Sequence, residues 1–364
     1  MPYFDLRPKE RREDLFDREE ELKKLERCVD MKIPLILVLG LRRYGKTSLV
    51  LTALNEMEIP YVYIDCRRLP VGPISYTQFG QTLAEGVSKL LSKHRGIREK
   101  VRRAISSLDS ITVWGVEVRL KRETKKYDII EMLHSLDSIG EKIAVVIDEA
   151  QELRRLRDFT ALLAYAYDHM KNLVFILTGS EVGLLYKLLK TEDVKSWIYG
   201  RAYAEVKLKR LSRERSREFL VKGFKQCGIT PSEKLIEEII NAVDGVIGWL
   251  TYAGYKIVVE GGGLEKIMRE AENLSYSEFE GFLSIRKQAR ERYLAIMRAV
   301  AELGEASWSQ IYARATAIAG RIPKQRFTVL LENLVDTRFL IKEEKYRIAD
   351  PILERAIKRK YVKA

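Results

Sequence analysis

Apolar residues follow two rhythms along this chain. Up to residue 208, short runs rich in Val and Ile at 33–39, 143–147 and 172–177 read as strands buried on both faces, the form expected of a parallel sheet. The alternating stretch 61–66 and the stretch 203–208 add two more. Between them the period is helical. Leu22, Leu25 and Val29 share one face behind the acidic Glu19, Glu20 and Glu21, while 48–54 and 76–94 also read as helices. Strands alternating with helices predict an α/β fold. The stretch 110–121 breaks the rhythm: it alternates around Gly115, reads as an inserted hairpin or bent strand, and holds Trp114, which reads as a packing residue ahead of a ligand-stacking one.

From 211 to 263 the period is helical throughout. Thr230-Pro231-Ser232-Glu233 reads as a capping box, with Leu235, Ile236, Ile239 and Ile240 on one face, and Ser275 with Glu278 reads as the cap of a further helix. Beyond Arg292 come three helices, 293–303, 308–319 and 324–337, then short strands 340–342 and 345–348 around Glu343-Glu344. This pattern predicts a winged helix-turn-helix. The domains expected are therefore 1–208, 209–282 and 283–364.

With 364 residues, 46% of them hydrophobic, the chain has the composition of a multidomain globular protein. Its apolar runs are too short to span a bilayer, which predicts a cytoplasmic protein without a membrane partner. Cys28, Cys66 and Cys227 are scattered, as are His94, His134 and His169, which argues against a disulfide framework or a His/Cys metal site. The net charge is +13, and from Leu283 onward Lys and Arg number 18 against 9 Asp and Glu. A basic region of this kind points to an anionic partner, nucleic acid first.

The sharpest chemical signal is Gly40-Leu41-Arg42-Arg43-Tyr44-Gly45-Lys46-Thr47, which fits the phosphate-binding pattern G-x-x-x-x-G-K-[ST] between a strand and a helix opened by Ser48. Such a loop turns its N–H groups toward phosphates, sets Lys46 against the β and γ phosphates and offers the Thr47 hydroxyl to Mg²⁺. About a hundred residues on, an apolar strand ends in Asp148-Glu149. Asp148 fits a second Mg²⁺ contact, and Glu149 fits a base for an attacking water. The strand at 172–177 ends in Thr178-Gly179-Ser180, whose hydroxyls are candidates for contact with a terminal phosphate, Thr178 the favoured one.

Together these motifs resemble the archaeal ATPase family, a STAND branch of AAA+-like P-loop NTPases, and the resemblance runs from about Phe16 to Asp350. It implies an α/β P-loop NTPase parallel sheet of the AAA+-like, additional-strand type, with a helical lid and a C-terminal winged helix-turn-helix domain. In that strand order the Phe175 strand lies between the phosphate-loop strand and the Asp148 strand. The cofactors implied are ATP or ADP with Mg²⁺. Phe16-Asp17-Arg18 resembles the F-x-G-R box near the adenine, with Asp17 at the family glycine, and implies nucleotide contact by Phe16 and Arg18. Thr178 takes the sensor 1 position. Gly200-Arg201 resembles the family's Gly-Arg pair and implies an arginine finger at Arg201, acting in its own subunit or on a neighbour. The lid loop 244–250 departs from the family: Ile247 replaces a proline and no arginine is present. The function implied is a nucleotide-driven switch acting on DNA through Lys324, Gln325, Arg326 and Thr328, or a signalling ATPase whose last domain binds protein; self-association is compatible with either.

Overall fold

The computed structural model describes residues 3–121, 123–189 and 193–362. They divide into two compact bodies, one of Pro8–Gly40 with Gly45–Leu208, the other of Met1–Arg7, Leu41–Tyr44 and Lys209–Ala364.

The first body is a parallel five-stranded sheet between helices. Its elements in chain order are α1 (Glu19–Asp30), β1 (Leu35–Leu39), α2 (Lys46–Glu56), β2 (Tyr61–Asp65), α3 (Tyr76–Lys93), α4 (Arg98–Ser106), β3 (Ile111–Trp114), β4 (Glu117–Leu120), α5 (Lys126–Asp137), β5 (Ile143–Asp148), α6 (Phe159–His169), β6 (Leu173–Gly179), α7 (Val182–Leu189) and β7 (Ala204–Lys207). The strand order is β2-β5-β6-β1-β7, so β6 separates β1 from β5 as expected. Every residue of β1, β5 and β6 is buried, which is why these strands read as continuous apolar runs and not as alternations. Register sets Val38 beside Thr178 and Asp65 beside Asp148, aligning the carboxyl ends of four strands along one edge, where open α/β sheets bind ligands.

The insertion is an antiparallel hairpin, β3 and β4. Ile111 and Val118 face the core, while Trp114, read first as a packing residue, is 84% exposed. Period two defines two faces, and Trp114 shares the outer one with Thr112, Glu117 and Arg119.

The second body is helical: α8 (Arg213–Gln226), α9 (Glu233–Val243), α10 (Ile247–Glu260), α11 (Leu264–Ser284), α12 (Arg290–Leu303), α13 (Trp308–Ala319), α14 (Lys324–Asp336), the wing β8 (Leu340–Lys342) and β9 (Tyr346–Ile348), and α15 (Pro351–Tyr361). Ser232, not Thr230, caps α9, accepting from the Leu235 N–H. The cap expected at Ser275 is absent because α11 runs unbroken through it; the Ser275 hydroxyl donates to Asp350 Oδ2 at 2.7 Å instead. The expected boundary after 282 therefore falls inside α11, whose Tyr276, Phe279 and Phe282 belong to the winged-helix core. Phe327, Leu330, Leu331 and Leu334 form the buried stripe of α14, and its first-turn residues Lys324, Gln325 and Arg326 are exposed.

Candidate nucleotide site

Gly45 opens α2 with φ of +85°, a backbone that glycine reaches without strain. The helix begins at Lys46, which is buried, and its first turn carries Thr47. Across the sheet edge Asp148 ends β5 and is 1% exposed. Thr47 Oγ1 lies 3.3 and 3.1 Å from the two oxygens of Asp148, so one hydroxyl and one carboxylate meet at a single point. Both are hard oxygen donors suited to Mg²⁺, an ion that takes few protein ligands and leaves the rest to phosphate and water. No group of three or more His, Cys, Asp or Glu able to hold a metal is found among the described residues.

Asp148 is held from three further directions. The Tyr63 hydroxyl donates to Oδ2 at 2.6 Å, Thr178 donates to Oδ1 in a short bond, and Arg67 Nη2 stands 3.9 Å from Oδ2. Burial, followed by the charge of Asp148, pushes the Tyr63 phenol well above its ordinary value and keeps it a donor. Arg67 also binds Asp65 at 2.8 and 2.7 Å. Burial would raise the Asp65 carboxyl, but these bonds hold it below its usual range. A cleft of about 520 Å³ passes Thr47 and is lined also by Tyr63, Asp65, Arg67 and Lys93.

Glu149 leaves β5 in the left-handed region, φ +53°, an uncommon conformation for a residue with a side chain. Its backbone N–H donates to Thr178 Oγ1 at 3.2 Å. One side-chain oxygen, Oε2, accepts from Gln151 Nε2 at 2.7 Å, from the Ser180 N–H at 3.1 Å and from the Ser180 hydroxyl at 2.6 Å. Burial would raise this carboxyl, but the Lys46 ammonium and the bonds from Gln151 and Ser180 outweigh it, holding the group ionised below the usual glutamate range. The two candidate hydroxyls thus divide their work, Thr178 on Asp148 and Ser180 on Glu149.

Upstream, Phe16 and Arg18 are both buried, and Asp17 between them adopts φ +54°. That left-handed backbone explains the family's glycine at this position, and Asp is among the residues that tolerate it. Arg18 donates to the Asp17 carbonyl at 3.1 Å and lies 3.7 Å from Glu21. Ser48 Oγ accepts from the Lys9 N–H at 3.0 Å, tying the segment before α1 to the phosphate-loop helix. Arg201 bonds Asp168 at 3.0 and 2.6 Å and the Trp197 carbonyl.

The middle of the loop, Leu41–Tyr44, belongs to the second body. There Arg43, at φ +66°, donates to Glu278 at 3.1 and 2.5 Å and stacks 4.0 Å from the Trp249 ring centroid, while Arg42 reaches Glu278 at 3.1 Å. The Gly248 N–H, in the first turn of the helix that departs from the family pattern at Ile247, donates to the Arg43 carbonyl at 2.9 Å. Tyr63 and Gln151 carry no motif signal, and Glu278 was read only as part of a helix cap; strand pairing and helix packing bring them to their partners.

Comparison with known proteins supplies further findings. The profile of the ATPase domain family predominantly from Archaea matches residues 15–252, and that of the MCM protein C-terminal winged helix-turn-helix domain matches residues 287–349. Among solved structures, the chain is similar to the Walker-type ATPase PABY2304 of Pyrococcus abyssi at 34% identity, over 98% of this chain and 99% of that one, with a TM-score of 0.81. Remoter likenesses are to the ORC2 protein of Aeropyrum pernix, at 14% identity, 99% and 98% coverage and a TM-score of 0.47, and to the RuvB Holliday junction branch migration motor of Thermotoga maritima, at 14%, 99% and 99%, and 0.46. No curated protein matches. No helix among the described residues is long and apolar enough to cross a membrane.

Proposed function

This chain belongs to the archaeal-type AAA+/P-loop ATPases with a C-terminal winged helix, and on that footing we propose that it binds ATP·Mg²⁺, hydrolyses it and uses the cycle to switch its grip on DNA. The observation that carries the catalytic part is the meeting of Thr47 with Asp148 beside an ionised Glu149. In this reading the loop N–H groups and Lys46 bind the phosphates, and Thr47 and Asp148 hold the ion, which supplies charge neutralisation to the transferred phosphoryl group. Ser180 and Gln151 occupy Glu149 Oε2 and leave its other oxygen to take the proton of a water. Thr178 fixes Asp148 and the Glu149 backbone, and Arg201 offers charge to a γ phosphate. Phe16 and Arg18 wall the nucleotide, ADP as well as ATP.

The DNA part rests on Lys324 and Arg326 in the first turn of α14 and Arg321 just before it, all exposed and engaged in no ion pair among the described residues. Glu332, exposed two turns along the same helix, is the observation favouring the other reading, a signalling ATPase whose winged helix docks on protein. A mobility shift with duplex DNA at two salt concentrations, with and without ATP, separates them. Binding that weakens steeply with salt and responds to ATP is expected; no binding at low salt would leave the protein-docking reading. The catalytic part is tested apart from this by Glu149→Gln, which is expected to bind ATP·Mg²⁺ and hydrolyse it at least about a hundredfold more slowly.

A further inference from the structure

The hairpin of β3 and β4 takes no part in the reading above, yet it holds the most exposed tryptophan among the described residues. The register pairs Trp114 with Glu117, leaving Gly115 and Val116 as a two-residue turn, so the indole stands at the tip of a rigid ribbon. The ribbon is anchored from behind. Ile111 and Val118 are buried, the Val118 N–H donates to Ser88 Oγ on α3 at 2.9 Å, and the Lys121 N–H donates to the Ser110 carbonyl at 2.9 Å.

The charge of this insertion is lopsided. Residues 95–126 contain ten Lys and Arg against four Asp and Glu, a net of +6 in a chain whose total is +13. On the outer face of the hairpin Arg119 is spent on Glu117 at 2.7 Å. Arg95, Arg103 and Lys121 are exposed and have no carboxylate partner among the described residues, and Arg102 stands 3.8 Å from the exposed Glu99. The apolar part of the tip is one ring and Val116, far less than the core of a protein interface requires. An exposed aromatic plane carried on an insertion rich in exposed cations fits unstacked bases and a phosphate backbone, because any base can stack on indole while the cations follow the phosphates.

We propose that the hairpin insertion is a contact surface for single-stranded nucleic acid, with Trp114 as its stacking platform and Arg102, Arg103 and Lys121 as its phosphate contacts. This surface goes beyond the winged-helix reading and stands or falls separately from it.

The test uses the full chain and a fluorescently labelled single-stranded oligonucleotide, with affinity read by anisotropy at low and moderate salt. Trp114→Ala is expected to weaken binding about tenfold and Trp114→Phe to restore most of it, since the stacking surface returns. Arg103→Glu with Lys121→Glu is expected to weaken binding and flatten its salt dependence. All these effects persist in a Lys324→Ala, Arg326→Ala background, whatever that background does to duplex binding. Single-strand affinity equal in Trp114→Ala and parent overturns the proposal, as does a parent that binds no single strand at low salt. A change in sedimentation of the nucleic-acid-free protein on Trp114→Ala, with single-strand affinity intact, would make the hairpin a protein contact and overturn it equally.

Discussion

Ser180 binds one oxygen of Glu149 twice, through its N–H at 3.1 Å and its hydroxyl at 2.6 Å. Hydrogen bonds to a carboxylate favour its charged form, and here they act with Lys46 against the cost of burial. The folded pKa of Glu149 lies below the unfolded one. Its ionised form therefore stabilises the fold above the ordinary glutamate range, and that contribution is lost as pH falls through the depressed value.

The same sign governs activity. The acid limb of single-turnover hydrolysis is expected below the usual glutamate range in the parent, and Ser180→Ala should move it to higher pH. Ser180→Thr keeps the hydroxyl and should move it back. An acid limb that ignores Ser180 would mean that Glu149 is not the group titrating in catalysis.

Tyr63→Phe removes the 2.6 Å bond to Asp148 Oδ2 and little else. Groups that orient a metal ligand contribute roughly 10- to 100-fold to metal affinity. The Mg²⁺ concentration for half-maximal hydrolysis should rise by about tenfold in this variant, while nucleotide affinity measured in excess EDTA stays at the parent's value. A Mg²⁺ titration identical to the parent's would show that the remaining donors suffice to fix Asp148.

How far the sequence could be read depended on the range of the interactions involved. The phosphate loop and Asp148-Glu149 are local, because each is a strand end whose chemistry and flanking residues are contiguous, and the structure joins them through Thr47 and Asp148. The strand order followed from the family resemblance, not from periodicity. Tyr63 was out of reach, and Ser180 was legible as a candidate hydroxyl but not as the partner of Glu149, because both pairings exist only once β2 and β6 flank β5. Ser275 misled in the other direction: its spacing to Glu278 imitates a cap, but Leu264–Ser284 continues as one helix and both side chains are used by partners far along the chain. For Trp114, alternation defined two faces without saying which one the core would cover.

Phe4 supplies a test of the second body alone. It is fully buried, with edge-on contacts to Phe219 and Phe224 at 5.9 and 5.0 Å between ring centroids. Its ring occupies space left by two glycines, since a Cβ at Gly223 or Gly254 would fall 2.4 or 2.3 Å from it. Phe4→Ala should cost about 3–5 kcal/mol, the range for emptying a buried aromatic site. Gly254→Ala should destabilise as well, by overpacking against the ring. Both are measured by urea denaturation, and a Phe4→Ala midpoint equal to the parent's would mean that this segment does not contribute to the folded core.

Arg201 carries the most mechanistic content of the residues proposed to act. Its guanidinium is engaged by Asp168, but the pair lies near the surface, with the two side chains 26% and 41% exposed. Ion pairs so placed contribute about 0–1 kcal/mol, less than a phosphoryl group presented to the same fork would supply. The pair therefore holds Arg201 without committing it. Arg201→Ala is expected to lower turnover by on the order of 10³ while leaving ADP affinity nearly unchanged, because the contact strengthens as charge redistributes in the transition state. If the arginine serves a neighbour, specific activity of the parent rises with protein concentration. Mixing Arg201→Ala with Lys46→Ala then restores activity, since one subunit's intact loop meets the other's intact arginine; within a single subunit no such site can form. Turnover unchanged in Arg201→Ala would leave the residue as the partner of Asp168 and nothing more.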